Sequence, residues 1–356
     1  MIGFAVYLSH KLNLETRQYI HRMAQSGFST VFTSLHIPED DASSLVPRLQ
    51  QLTGWCKEEG LTVIADISDT GFEQLGWCTD DVDTVLASGL TGLRVDDGIG
   101  MKSVAAMSRY MMIALNASTL SAQNLQELRR AGADFSHIEA WHNYYPRPET
   151  GLDTEWFNRK NTWLHSQGLK VMAFIAGDGQ RRGPVFAGLP TLEGQRGMLP
   201  LWAFVELQQM GVDGVFIGDE MISETSVATI EAYVTQQVLT IHVVGLPTVL
   251  AQTQWHNRPD VARDVVRLQE ARRRQLVGTE PDMVAHARPV GSLTVDNDGY
   301  GRYRGEIQIT KHDLPADARV NVIGRVVRDD WVGLSLIGAH QAIQLVQSVA
   351  GKHFDR

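Results

Sequence analysis

Gly211-Val212-Asp213-Gly214-Val215-Phe216-Ile217-Gly218-Asp219-Glu220 runs a glycine, an apolar stretch and an acidic exit together. The same order recurs along the first 220 residues. The apolar runs are Ile2–Leu8, Thr30–Leu35, Thr62–Ile67, Gly92–Val95, Met111–Leu115, His137–Ala140, Val171–Ala176 and Gly214–Ile217. Their exits carry Ser9 and His10, Ser34 and His36, Asp66 and Ser68, Arg94 with Asp96 and Asp97, Asn116, Glu139 with His142 and Asn143, Asp178, and Asp219 with Glu220. Short apolar runs bounded by turn signals read as buried strands. Polar residues gathered at one end of such strands read as a site.

Helical signals fill the gaps. Leu45, Leu49, Leu52 and Cys56 repeat at three- and four-residue spacing, and Leu14, Ile20, Met23 and Ala24 are expected to share a face. Trp156, Trp163 and Leu164 fit another. Gly27, Gly60, Gly89, Gly132, Gly168 and Gly211 close these segments, where a left-handed cap suits glycine. The repeating unit is strand, polar loop, helix, glycine, strand. Eight such units predict an α/β fold, a (β/α)8 TIM barrel over residues 1–240. An open doubly wound sheet is the alternative, because strand order is not written in sequence.

Beyond residue 240 the texture changes. A basic stretch, Asp264–Arg274, reads as helical. Ser292–Val295, Tyr303–Ile309, Val320–Val327, Trp331–Ile337 and Gln341–Val349 read as short strands between turns. Residues 241–356 are therefore expected to form a small antiparallel β barrel or sandwich.

Hydrophobic residues make up 43% of the 356, enough for a large core, and the net charge is −9. That charge argues against general binding to nucleic acid or anionic membrane. Only Cys56 and Cys78 are present, which suits a reducing compartment. The opening apolar run is too short for a secretory signal, and no stretch approaches the ~20 residues of a membrane span. A cytoplasmic protein is expected.

Asp219 and Glu220 are the leading candidates for acid chemistry. A shielded Glu220 beside an ionised Asp219 would have a raised pKa, as a general acid needs. The competing assignment places Glu139 or Asp66 as base or nucleophile. Either β8 acid could instead cap the next helix. The loop His142-Asn143-Tyr144-Tyr145-Pro146-Arg147-Pro148-Glu149-Thr150-Gly151 offers groups that hold sugars and anions, with His142, Asn143, Tyr145 and Arg147 the candidates. Gly177–Pro184 contains Arg181 and Arg182, and Arg182 is the candidate there for an anion. Arg94 and Asp96 fall on one side of a strand and either pair or bind substrate. Ser34, His36 and Asn116 add hydroxyl-binding character. No lysine lies inside the eight runs, which disfavours Schiff-base chemistry. No His-x-His follows the first run, and no phosphate-cradling glycine motif is present, so neither a metal nor a cofactor is expected.

Several longer segments resemble one family. They are Gly3-Phe4-Ala5-Val6-Tyr7-Leu8-Ser9, Phe32-Thr33-Ser34-Leu35-His36-Ile37-Pro38-Glu39-Asp40, the 142–151 loop, Gly188-Leu189-Pro190-Thr191-Leu192-Glu193, Asn257-Arg258-Pro259-Asp260 and 296–305. They are similar to the MupG-type 6-phospho-N-acetylmuramidases of peptidoglycan recycling. The resemblance implies a TIM barrel followed by a cyclophilin-like domain. It also implies hydrolysis of the β-1,4 bond of 6-phospho-MurNAc-GlcNAc to MurNAc 6-phosphate and GlcNAc. The partner would be that small phosphorylated amino-sugar disaccharide, and a homodimer is left open. Glu220 would then protonate the leaving oxygen while Asp219 orients the 2-acetamido group. Arg147 and Arg182 would hold the phosphate and the lactyl carboxylate, in either order. A non-catalytic phosphosugar-binding protein and a phosphosugar isomerase or lyase are the alternatives.

Overall fold

The computed structural model describes residues 1–35, 42–79, 81–96 and 98–348. His36 therefore lies outside the described residues. The chain divides into two compact units, Met1–Val227 and Ala228–Arg356.

The first unit is a closed parallel barrel in which each strand pairs with the next and β8 returns to β1. Its strands are β1 Ile2–Ala5, β2 Thr30–Ser34, β3 Thr62–Ile67, β4 Gly92–Val95, β5 Met112–Asn116, β6 Ile138–Trp141, β7 Lys170–Ile175 and β8 Gly214–Ile217. Between them run α1 Leu14–Gln25, α2 Ala42–Glu58, α3 Asp69–Gln74, α4 Val82–Ala87, α5 Met101–Met107, α6 Ala122–Arg130, α7 Thr154–Ser166 and α8 Pro200–Gln209. α9 Glu224–Gln236 follows β8.

Sequence explains the helix ends. Asn13 accepts from Thr16 N at 2.9 Å, Asp153 accepts from Trp156 N at 2.8 Å, and Ser121 with Asn124 forms a capping box. The six glycines expected to end helices all have positive φ, between +72° and +87°. On α1 the buried residues are Tyr19, Ile20 and Met23, while Leu14 is exposed. On α7 they are Phe157, Asn161 and Leu164, so Trp156 and Trp163 lie off the buried face expected of them.

Tyr7, Phe32, Ile64, Trp141, Met172, Phe174 and Phe216 form one buried cluster. β7 contributes two alternate residues, Met172 and Phe174, as the pleat of a filled barrel requires. Trp141 and Phe216 ring centres are 4.3 Å apart, and those of Phe32 and Phe174 are 5.1 Å apart. A Cβ on Gly3 would sit 2.2 Å from the Phe216 ring, so only glycine lets that ring fill the barrel.

The second unit is a seven-stranded sheet. Its strands are β9 Val238–Val244, β10 Gln254–His256, β11 Val265–Leu268, β12 Ser292–Asp296, β13 Ile307–Thr310, β14 Val320–Val326 and β15 Ala342–Gln347. The order is β10-β15-β9-β14-β12-β13-β11. Arg258 N donates to Arg267 O and Gln269 N to His256 O, so the two edges meet and the sheet curls toward closure. Three expectations need correction. β15 and β9 pair parallel, not antiparallel. The 264–274 stretch is a strand followed by a short helix, α11 Ala271–Arg274, because Val266 and Leu268 alternate inward. Trp331–Ile337 forms 3-10 turns rather than a strand. α10 Thr248–Ala251 completes the unit. No helix among the described residues is long and apolar enough to cross a membrane.

Candidate active site

The inward faces of β2 to β4, with the loop after β6, build one cavity of about 170 Å³. Phe32, Phe174 and Tyr144 supply aromatic wall, and Asp66, Arg94, Asp96 and Asn143 supply polar groups. Register aligns Ser34 with Asp66 and Asp66 with Arg94 on neighbouring strands. Arg94 Nη1 donates to Asp66 Oδ1 at 2.6 Å, and Nη2 donates to Asn143 Oδ1. Burial lowers the pKa of Arg94, but the Asp66 and Asp96 charges more than offset this, so the guanidinium stays protonated. Asp96 makes no side-chain hydrogen bond among the described residues. The site thus holds two carboxyl groups in different states: Asp66 is pinned by an arginine, and Asp96 is free to meet a ligand. Ser34 is buried beside Asp66. Asn116 ends β5, where its Oδ1 accepts from Ser118 N at 3.0 Å and braces the following turn.

A second cavity of about 180 Å³ opens beside β1 and β8. Tyr7, Ser9, His10, Lys11, Gln180 and Glu220 line it. Glu220 is half-buried and accepts from Gln180 Nε2. Arg182 links the walls of the two cavities. Its guanidinium carbon lies 3.6 Å from the centre of the Tyr7 ring, and its Nη1 donates to Tyr144 Oη at 2.9 Å. Tyr7 Oη donates to the Gly218 carbonyl, and burial raises its pKa well above the usual phenol value. Tyr7, Tyr144, Phe32 and Phe174 were not singled out from sequence. Their signal was alternation: Tyr7 and Phe32 stand two residues from the polar exits Ser9 and Ser34.

Asp219 occupies a different environment from Glu220. It is fully buried and accepts from Gly177 N, Leu189 N and Arg182 N at 2.9, 3.1 and 3.1 Å. Burial raises its pKa against those three donors, which favour the charged form. Both oxygens are therefore committed to tying down the loop after β7. This corrects the expectation that Asp219 meets the acetamido group.

Two more expected site residues lie elsewhere. Glu139 shares a hydrogen-bonded row with Arg94 through Ala114. Barrel strands tilt by about 35–45°, so such a row descends across the wall. Glu139 therefore lies near Lys170, Asp213 and the N-terminus, at the end opposite the exits and below the Trp141 ring. Its Oε2 accepts from Trp141 Nε1, its Oε1 has no partner among the described residues, and burial raises its pKa. His142 follows inward-facing Trp141, so period two turns it outward to α7. There Nε2 meets Asn161 Oδ1 at 2.7 Å and the ring lies 4.6 Å from Phe157. Burial lowers its pKa to about 4.

The 142–151 loop is held by a pair that sequence reading missed. Glu193 accepts from Glu149 N and Gly151 N, and Arg196 binds Glu193 as well as the carbonyls of Tyr145 and Gly188. These bonds hold the Glu193 carboxyl down at about 2. Tyr145 N donates to Pro190 O, and both Tyr145 and Arg147 sit on the braced loop, Arg147 exposed.

Fold and site together define a (β/α)8-barrel protein with a carboxylate- and arginine-lined mouth. The chain belongs to the 6-phospho-N-acetylmuramidase family. That family's N-terminal profile matches residues 2–232 and its C-terminal profile matches 243–346. The structure is similar to a conserved protein from Enterococcus faecalis with an unknown function, at 42% identity and a TM-score of 0.90 over 98% of this chain and 96% of that one. It shares its fold with an uncharacterized B. cereus protein at 24% identity and a TM-score of 0.77, covering 97% and 99% of the two chains. A search of curated proteins found no match.

Proposed function

We propose that this protein hydrolyses the β-1,4 bond of 6-phospho-MurNAc-GlcNAc in the cytoplasm, as part of peptidoglycan recycling. Family membership across both units carries this reading. The mouth supports it chemically, with aromatic walls for sugar faces, polar groups for hydroxyls and arginines for a phosphate or carboxylate.

Glycoside hydrolysis normally uses two carboxyl groups around the scissile bond. Asp66, held by Arg94, suits the group that stabilises the developing oxocarbenium ion. Asp96, unbonded in the same cavity, suits proton transfer. Glu220 is the rival proton donor, because it faces the adjoining cavity across the Arg182 stack. Arg182 is our candidate for the phosphate or the lactyl carboxylate, with exposed Arg147 the other.

Incubation with phosphorylated and unphosphorylated MurNAc-GlcNAc, with products read by mass, tests the reading. Cleavage of the phosphorylated form alone is expected. Equal cleavage of both, or of neither, refutes it. Asp66→Asn, Asp96→Asn and Glu220→Gln then assign the roles. Loss of the true acid lowers kcat by about 10²–10⁴-fold.

A further inference from the structure

One cleft of the second unit is lined by arginine. It encloses about 730 Å³ between the β10 exit, the α11 segment and the turn after β12. Arg258, Arg272, Arg273, Arg302 and Arg304 line it, against one carboxylate, Asp298. Like charges repel, so five guanidinium groups around one space need compensation. The protein compensates three of them. Arg258 pairs with Asp260 at 2.8 Å, Arg304 with Asp298 at 3.4 Å, and Arg272 reaches Glu306 at 3.9 Å. Glu306 is held closer by Arg267, at 2.7 Å. Arg273 has no hydrogen-bond or ion-pair partner among the described residues. Arg302 bonds only a neutral group, Tyr303 Oη.

The cleft is also braced. Arg272 and Arg302 both pack on the Tyr303 ring, at 5.7 and 4.9 Å. Arg304 Nη2 donates to Gln275 Oε1. Arginines with unspent donors beside braced ones are what phosphate recognition uses. Against a net charge of −9 for the whole chain, this local excess is not a by-product of composition. The segments 257–260 and 296–305, which carry the family resemblance, supply Arg258, Arg302 and Arg304. The volume suits a ligand of one or two sugar rings.

We propose that this cleft is a second ligand site, which takes a phosphorylated sugar by its phosphate. The sugar body rests on the function proposed above, whereas the anion site stands on the arginines alone.

Calorimetric titration of the full chain with glucose 6-phosphate, inorganic phosphate and glucose tests it. Glucose 6-phosphate is expected to bind, glucose is not, and binding should weaken as salt rises. The double variant R273Q/R302Q should lose about tenfold or more in affinity for glucose 6-phosphate, the scale of charge-assisted contacts. R273K/R302K should recover part of it, and R182Q in the barrel should leave the part of the binding that depends on Arg273 and Arg302 unchanged. Loss in R182Q with none in R273Q/R302Q overturns the proposal. Inorganic phosphate binding as tightly as glucose 6-phosphate overturns the sugar and leaves a free-phosphate site. Preference for an RNA oligonucleotide over glucose 6-phosphate overturns it as well. Disaccharide turnover is read separately, so a chain that binds without cleaving refutes the reaction and not this site.

Discussion

Asp219 accepts three main-chain N–H groups, so its removal strands three buried donors. Asp219→Ala should destabilise the protein by about 3 kcal/mol, since each unsatisfied buried group costs about 1–3 kcal/mol. It should also raise KM, because Arg182 hangs from the same loop. Urea melts with substrate kinetics check both, and a variant with unchanged midpoint and KM refutes the bracing role. His142 gives a pH signature. Its pKa falls from 6.5 to about 4 on folding, so the unfolded chain binds more protons between those values. Stability is then full above pH 6.5 and drops as pH falls toward 4, by up to about 3 kcal/mol at 1.36 kcal/mol per unit. Asp296 has the opposite sign. Burial and the nearby Glu306 raise its carboxyl to about 7, so stability is fully present below its unfolded value of 3.8 and is lost as pH rises through 7. Asp296→Asn should melt above the parent at pH 8, with the gap closing toward pH 4. A gap that stays constant across that range would falsify the assignment.

At the scale of elements, the barrel was legible because its signal repeats. Every expected run from Ile2–Leu8 to Gly214–Ile217 overlaps an observed strand, and the six glycines fall where left-handed caps form. Facing was less legible. Trp141, His142 and Asn143 are adjacent in sequence, yet His142 points to α7 while Asn143 lines the mouth, and only the register of β6 decides which. Glu139 shows the same limit along the barrel axis, because strand tilt is not written in a strand's own residues. The Glu193–Arg196 clamp escaped notice because its partners lie some forty residues away in sequence, at Glu149 and Gly151. In the second unit, Trp331–Ile337 has strand-like composition, but Gly333 breaks it and the segment closes into 3-10 turns. Close contacts inside the barrel give a firmer expectation. Gly3→Ala should cost about 1–3 kcal/mol by overpacking against Phe216, and calorimetry or a urea midpoint measures it.

For the molecule as a whole, the two units carry different chemistry. The barrel holds paired carboxylates and aromatic walls at its mouth, whereas the curled sheet holds an arginine cleft. Their pH responses differ as well, with His142 in the first unit and Asp296 in the second. The two contributions change in opposite directions over the same range, from about pH 4 to 6.5, and so largely cancel there in the full chain. His142→Gln should uncover a stability that falls as pH rises through that range, and Asp296→Asn one that rises. Melts of the two variants across pH 4 to 8 read this directly, and slopes of the same sign in both contradict it. Arg182 has an optical consequence. A guanidinium resting on the Tyr7 ring perturbs that ring's electronic transitions. An anion that draws Arg182 away should therefore change the near-ultraviolet dichroism of Tyr7, giving the barrel mouth a label-free readout of occupancy that Tyr7→Phe would alter and R273Q/R302Q would not.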